Sequence, residues 1–218
     1  MTLRIQAYSD FICPFCFLAK TPLDEAVQGK DVEIEWMPFE LRPSPAPKID
    51  PWEDPSKLRG WESYITPMAE QWGVRMKLPH ISPHPYTGLA FEGYHYAKDQ
   101  GRGNAYMSRV FAAFFQEEQD IGQLDVLAKL AAEIGLEEAG FHEALQSGKY
   151  RDIQAQAVRH AYEEAGITAV PTFIIGSERV QGAVSREALE SVIMQQLERE
   201  AVGKTQGLQC DASGDCAP

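Results

Sequence analysis

Apolar and polar positions change rhythm twice along this chain. LRIQAY (Leu3–Tyr8) alternates, as a half-buried strand does. A run with helical spacing follows, from Pro14 to about Gln28, with Pro22 placed to kink it. VEIEWMPFEL (Val32–Leu41) alternates again, setting acids against β-branched and aromatic residues. A strand, a helix and a strand in that order predict a parallel pair. Five prolines between Arg42 and Pro55 then predict a stiff, extended connection. From Lys57 to Gly166 the spacing is helical and no segment reads as a strand. Helices are expected over 57–72, 87–100, 104–119, 124–135, 137–148 and 150–166, with Gly73, Gly101, Gly135, Gly148 and Gly166 as stops. After Gly166 the short rhythm returns. ITAVPTFIIG (167–176) and SERVQGA (177–183) predict two strands, and SREALESVIMQQLERE (185–200) predicts an amphipathic helix capped by Ser185.

The layout is a split α/β unit with an all-helical insertion. Segments 1–42 and 167–200 are expected to form one discontinuous domain. Segment 56–150 is the helical insertion, 151–166 a long connecting helix, and 201–218 a loose tail. A chain of 218 residues is long enough to bury its own core, so cysteines are not needed as staples. The net charge of -12 makes nucleic acid and anionic membrane poor partners. The first ten residues lack the apolar stretch of a signal peptide, and no run of eighteen apolar residues exists. These features predict a cytoplasmic protein. In that compartment a cysteine pair points to metal binding or catalysis rather than to a structural disulfide.

That pair is Cys13 and Cys16, in YSDFICPFCFLAK. Cys13 falls where the first helix should begin, and Pro14 takes the first helical position, where a missing N–H costs nothing. A thiol at a helix N-terminus meets unpaired N–H groups and the positive end of the helix dipole, both of which favour the thiolate. Cys16 lies one turn on, within reach of a disulfide with Cys13. The arrangement suits a nucleophile and a resolving thiol. Zinc knuckles use the same spacing but need a second ligand pair. The remaining cysteines, Cys210 and Cys216, lie far away in the tail, so no metal is expected. His80 and His84, in the proline-rich LPHISPHP, have an i,i+4 spacing that would suit a helical metal site, but the prolines argue against a helix there. His95, His142 and His160 show no partnering pattern. Val170-Pro171 marks a strand entry. Proline there either only removes a ladder donor or forms a cis bond beside the cysteines.

Taken together, the Cys13-Pro14-Phe15-Cys16 motif after the first strand, Val170-Pro171-Thr172 and the intervening helical block resemble the DsbA family of the thioredoxin superfamily. PFELRP (38–43), GYHYAKDQG, VFAAFFQEEQDIGQLDVLAKLAAEIGL and GITAVPTFIIG look like its FrnE-like cytosolic branch. The resemblance spans roughly residues 1–200. It implies a thioredoxin-like fold interrupted by the helical insertion, and a dithiol–disulfide oxidoreductase acting on protein thiols and disulfides. It implies a cellular thiol reductant or oxidant as recycling partner, and no cofactor beyond the redox-active pair, with glutathione as an optional co-substrate. It also implies a cis bond at Pro171, with Val170 pairing with a substrate strand. Phe15 departs from the histidine of the DsbA dipeptide and cannot stabilise a thiolate as imidazole does. Two other classes compete. One is a kappa-class glutathione transferase or hydroxychromene-carboxylate isomerase, for which Ser9 is the nearby serine. The other is a chaperone-like module, for which Trp52, Trp61, Tyr64, Trp72, Phe91, Tyr94 and Tyr96 could line a groove, although most of these should be core.

The tail LQCDASGDCAP has no apolar pattern. Ser213 and Gly214 allow a small Cys210–Cys216 ring, and the neighbouring Asp211 and Asp215 disfavour thiolate. The pair is therefore expected as an accessory relay rather than a first nucleophile. Idle thiols and an inter-chain link are the competing readings.

Overall fold

Among the described residues, four β-strands stand in the order β2-β1-β3-β4. They are β1 (Leu3–Ser9), β2 (Val32–Pro38), β3 (Thr172–Ile175) and β4 (Glu178–Gln181). The computed structural model describes residues 2–206, with side chains through residue 201. β1 and β2 pair in parallel, with Ile5 opposite Ile34, as the opening strand–helix–strand order requires. β3 runs antiparallel to β1, and β4 antiparallel to β3. Every strand therefore comes from the two ends of the chain, and the chain between them is helical.

Helix α1 (Pro14–Val27) is continuous through Pro22 and packs against α9 (Arg186–Gln206). The insertion contributes α2 (Pro55–Gly60), α3 (Thr66–Gln71), α4 (Gly88–Asp99), α5 (Gly103–Phe115), α6 (Leu124–Glu133), α7 (Glu138–Gln146) and α8 (Arg151–Arg159). The glycines expected as stops all take positive φ, from 58° at Gly166 to 84° at Gly135. Ser185 caps α9 through its hydroxyl, which accepts from Ala188 N at 3.4 Å. No helix among the described residues is long and apolar enough to cross a membrane.

Several boundaries depart from the sequence expectation. β2 ends at Pro38: Phe39 N–H still donates to Ser9 C=O at 3.0 Å, but Leu41 N–H turns to the Asp10 carboxylate at 2.6 Å instead of continuing the ladder. β3 starts at Thr172 rather than 167, immediately after the proline at 171. The helix expected over 57–72 is divided by a π-turn at Trp61–Ile65, in which Thr66 N–H reaches back to Trp61 C=O. Pro67 follows directly; it lacks a donor and its ring crowds the carbonyl four residues back, so the turn widens. A second π-turn, His160–Glu164, interrupts the expected connecting helix and leaves Ala161 packed with Tyr8, Phe39 and Ile167. The tail expectation is corrected over 201–206, which α9 absorbs. Gly203 does not end that helix, since a single glycine costs only about 1 kcal/mol against alanine.

The core is continuous from the sheet into the insertion. Phe11, in the turn after β1, packs on Phe91 of α4 (ring centroids 4.5 Å apart) and on Phe111 of α5 (5.3 Å). Phe17 of α1 stacks on Phe115 at 5.2 Å. Each such ring contributes roughly 1.5–3 kcal/mol through burial. The helices of the insertion thus clamp the segment that carries the two cysteines.

Candidate active site

Cys13 is the N-cap of α1, with extended backbone (φ -85°, ψ 113°) and Pro14 next in the helix. Its carbonyl accepts from Cys16 N at 3.1 Å and Phe17 N at 3.2 Å, and its own N–H donates to Asp10 C=O at 3.1 Å. No side chain caps the helix, and no acid lies in its first turn. The positive end of α1 is therefore presented to the Cys13 sulfur alone. Cys16 sits on the inner side of the same turn. Both thiols are free and buried, with Cys13 4% and Cys16 2% exposed. Burial pushes the Cys16 thiol well above its ordinary range, and the neighbouring Cys13 pushes the same way. The fully buried Ser9 hydroxyl, which has no other hydrogen-bond partner, opposes this by favouring the Cys16 thiolate.

Across from the pair, the Val170-Pro171 bond is cis. The Val170 carbonyl accepts from Cys13 Sγ at 3.5 Å. Gly182 N–H donates to Pro171 C=O at 2.8 Å, and Thr172 Oγ1 donates to Ala169 C=O at 2.7 Å, so this loop is tied on both sides of the proline. The structure thus brings Cys13, Pro14, Cys16, Val170 and Pro171 together from two ends of the chain. Phe15 stands beside them, half-buried against the core.

Sequence reasoning missed the acids behind this turn. Asp10 is fully buried; its carboxylate accepts from Leu41 N at 2.6 Å and Ile12 N at 3.3 Å. Burial pushes its carboxyl up to about 7, against those two hydrogen bonds and one from Thr87. Glu40 is 7% exposed and accepts from Gln154 Nε2 at 2.8 Å; burial raises its carboxyl too. The same Gln154 holds His95 Nε2 at 3.0 Å, and Tyr162 Oη donates to the Glu40 carbonyl at 2.6 Å. A signal was present in YSDFIC and PFELRP, where single acids stand among apolar residues. Strand alternation would nonetheless place such acids in solvent.

The remaining candidates lie elsewhere. His80 stacks on Trp52 and meets Glu118 Oε1 at 2.6 Å, while His84 is buried edge-on against Phe114. Among the described residues, no group of three or more His, Cys, Asp or Glu side chains is placed to hold a metal ion. Phe91 and Tyr94 are core, whereas Trp52 and Tyr64 are exposed. Cys210 and Cys216 lie outside the described residues.

A mixed sheet of this order, with a Cys-Pro-Phe-Cys helix start facing a cis-proline, defines a thioredoxin-fold protein. The DSBA-like thioredoxin domain family matches residues 4–194, and the chain belongs to that family. It is 57% identical to the uncharacterised protein YwbO of Bacillus subtilis, over 88% of this chain and 96% of that one. It is 24% identical to a 2-hydroxychromene-2-carboxylate isomerase of Sphingobium xenophagum, over 89% of this chain and all of that one. Among solved structures, SCO1869 of Streptomyces coelicolor, described as a probable DsbA oxidoreductase, superposes with a TM-score of 0.78 at 22% identity over 99% of both chains. The cytosolic disulfide reductase DsbM of Pseudomonas aeruginosa, also solved with glutathione, superposes in its first form with a TM-score of 0.65 at 19% identity, covering 93% of this chain and 100% of its own.

Proposed function

We propose that this protein is a cytoplasmic dithiol–disulfide oxidoreductase acting on proteins. The observation that carries this reading is Cys13 at an uncapped helix N-terminus, 3.5 Å from the carbonyl that precedes a cis-proline, with a second thiol one turn behind. The Cys13 thiolate attacks a substrate disulfide, and one substrate sulfur leaves as thiolate. Cys16 then gives up its proton and displaces the second substrate sulfur. The substrate ends with two thiols and the protein with a Cys13–Cys16 disulfide, so two electrons have moved outward. A small thiol such as glutathione returns them, and the same steps run backwards oxidise a dithiol substrate. The raised Cys16 thiol suits the second role, because it stays protonated while Cys13 reacts. Val170 and Pro171 offer backbone to an extended substrate chain beside the sulfur. No cofactor other than the cysteine pair enters this reading.

The isomerase likeness supports a second reading, glutathione-dependent conjugation or isomerisation. Ser9 is the serine it would use, and Ser9 is sealed behind Cys16 at 1% exposure. Insulin reduction, run beside a glutathione-conjugation assay and an aggregation assay, separates these readings. Cys13→Ser is expected to abolish insulin turnover, and Cys16→Ser to accumulate a mixed disulfide on Cys13, visible on a non-reducing gel. Turnover retained by Cys13→Ser would overturn the proposal.

A further inference from the structure

A second concavity, about 720 Å³ in volume, opens where the loop after β2 meets α4 and α8. That volume suits a small-molecule site. None of Ser9 to Cys16, Val170 or Pro171 lines it, so it is separate from the cysteine site. Its floor carries two buried acids. Glu40 and Glu92 are 7% and 8% exposed, and Glu92 Oε2 has no hydrogen-bond partner. Gly88 makes room for this floor, since a Cβ there would lie 3.2 Å from Glu40 Oε1. Gly88 and Glu92 are one turn apart on α4, so the two carboxylates stack along one helix face. Each raises the cost of burying the other's charge.

The exposed part of the lining adds positive charge. Lys48 and Arg151 line the same cavity and are exposed; Lys48 Nζ lies 4.8 Å over the Tyr86 ring, and Arg151 lowers the Glu92 carboxyl against the effect of burial, while Asp120, the third acid of the lining, already accepts from Gly122 N and Gln123 Nε2. Between floor and mouth, Pro85 and Val158 supply apolar wall. A buried carboxylate oxygen without a donor is costly, and a ligand ammonium is the group that would satisfy it with a charge-assisted bond. A purely cationic ligand would then leave its other end against Lys48 and Arg151. A ligand whose far end is anionic meets both ends of the cavity with opposite charge.

From Glu40, Glu92, Lys48 and Arg151 we infer that this cavity binds a small zwitterion of the amino-acid class, its ammonium on Glu92 and Glu40 and its carboxylate at Lys48 and Arg151. The site goes beyond the thiol–disulfide reading and does not depend on it.

Calorimetric titration of the full chain with three matched probes tests the inference: 6-aminohexanoate, hexylamine and hexanoate. 6-Aminohexanoate should bind at least about tenfold more tightly than either single-charge probe. Glu92→Gln, which keeps the side-chain shape, should weaken 6-aminohexanoate and hexylamine by at least about tenfold. Arg151→Ala should weaken 6-aminohexanoate and leave hexylamine unweakened. Hexanoate binding as well as 6-aminohexanoate, no binding by any probe, or a Glu92→Gln protein of unchanged affinity would each overturn it. The probe series on the unmodified protein decides the matter even if a variant fails to fold. Insulin turnover by Glu92→Gln should match the parent, so failure here leaves the cysteine chemistry standing.

Discussion

Asp10 and Phe11 are neighbours in sequence and are both fully buried, yet they face opposite kinds of interior. Phe11 enters an aromatic stack with Phe91, Tyr106 and Phe111. Asp10 enters a polar seam in which Leu41 N, Ile12 N and Thr87 satisfy a carboxyl that burial pushes to about 7. The cysteine turn is held between these two sides. The apolar side stabilises through area removed from water and has no dependence on pH. The polar side keeps ionisable groups where charge is expensive, and its contribution therefore changes with pH. The lesson is that the two sides can be told apart by how their stability responds, even though both are closed to solvent.

The largest stability effect should come from the apolar side. Phe111→Ala removes a ring that touches Phe11, Phe17 and Phe115, and should cost about 3–5 kcal/mol in denaturant unfolding, by the same amount at pH 5 and pH 8. A pH-dependent loss would break the comparison. Asp10→Asn should follow, with the opposite character. The folded carboxyl titrates near 7 against an ordinary 3.8, so its proton is bound by the folded state over that window. Stability from this group is present below about pH 4 and lost as pH rises toward 7 and beyond. Removing the charge should therefore make the variant more stable relative to the parent by about 2–4 kcal/mol at pH 8 than at pH 4. A constant difference between parent and variant would show that Asp10 does not titrate there. Tyr162→Phe should cost about 1 kcal/mol, since it removes one hydrogen bond to the Glu40 carbonyl and keeps the ring packed on Phe39. Removal of residues 207–218 should be smallest, leaving unfolding unchanged and slowing recycling of the Cys13–Cys16 couple by about twofold, as loss of a tethered relay would. An unchanged recycling rate would take Cys210 and Cys216 out of this chemistry.

The cysteine site was legible because its parts are local. Cys13, Pro14 and Cys16 occupy one helix start, and the signals for that start, a strand ending and a proline at the first helical position, lie within a few residues. Val170-Pro171 was legible as a strand entry, and its cis bond was expected from resemblance. Two boundaries were not legible: the helix widens before Pro67, which lacks a donor, and β2 stops early because Leu41 N–H goes to the Asp10 carboxylate.

The order of elements, the parallel opening pair and the helical character of the insertion were determined by periodicity alone, because strand and helix periods are properties of contiguous residues. Which side of the cysteine turn is polar was decided only by tertiary structure. Asp10 and Glu40 read as solvent-facing acids until Leu41, Thr87 and Gln154 close over them. Gln154 stands 114 residues from Glu40, and Val170 stands 157 from Cys13. Burial of a charge depends on what covers it, and the covering groups here come from distant parts of the chain.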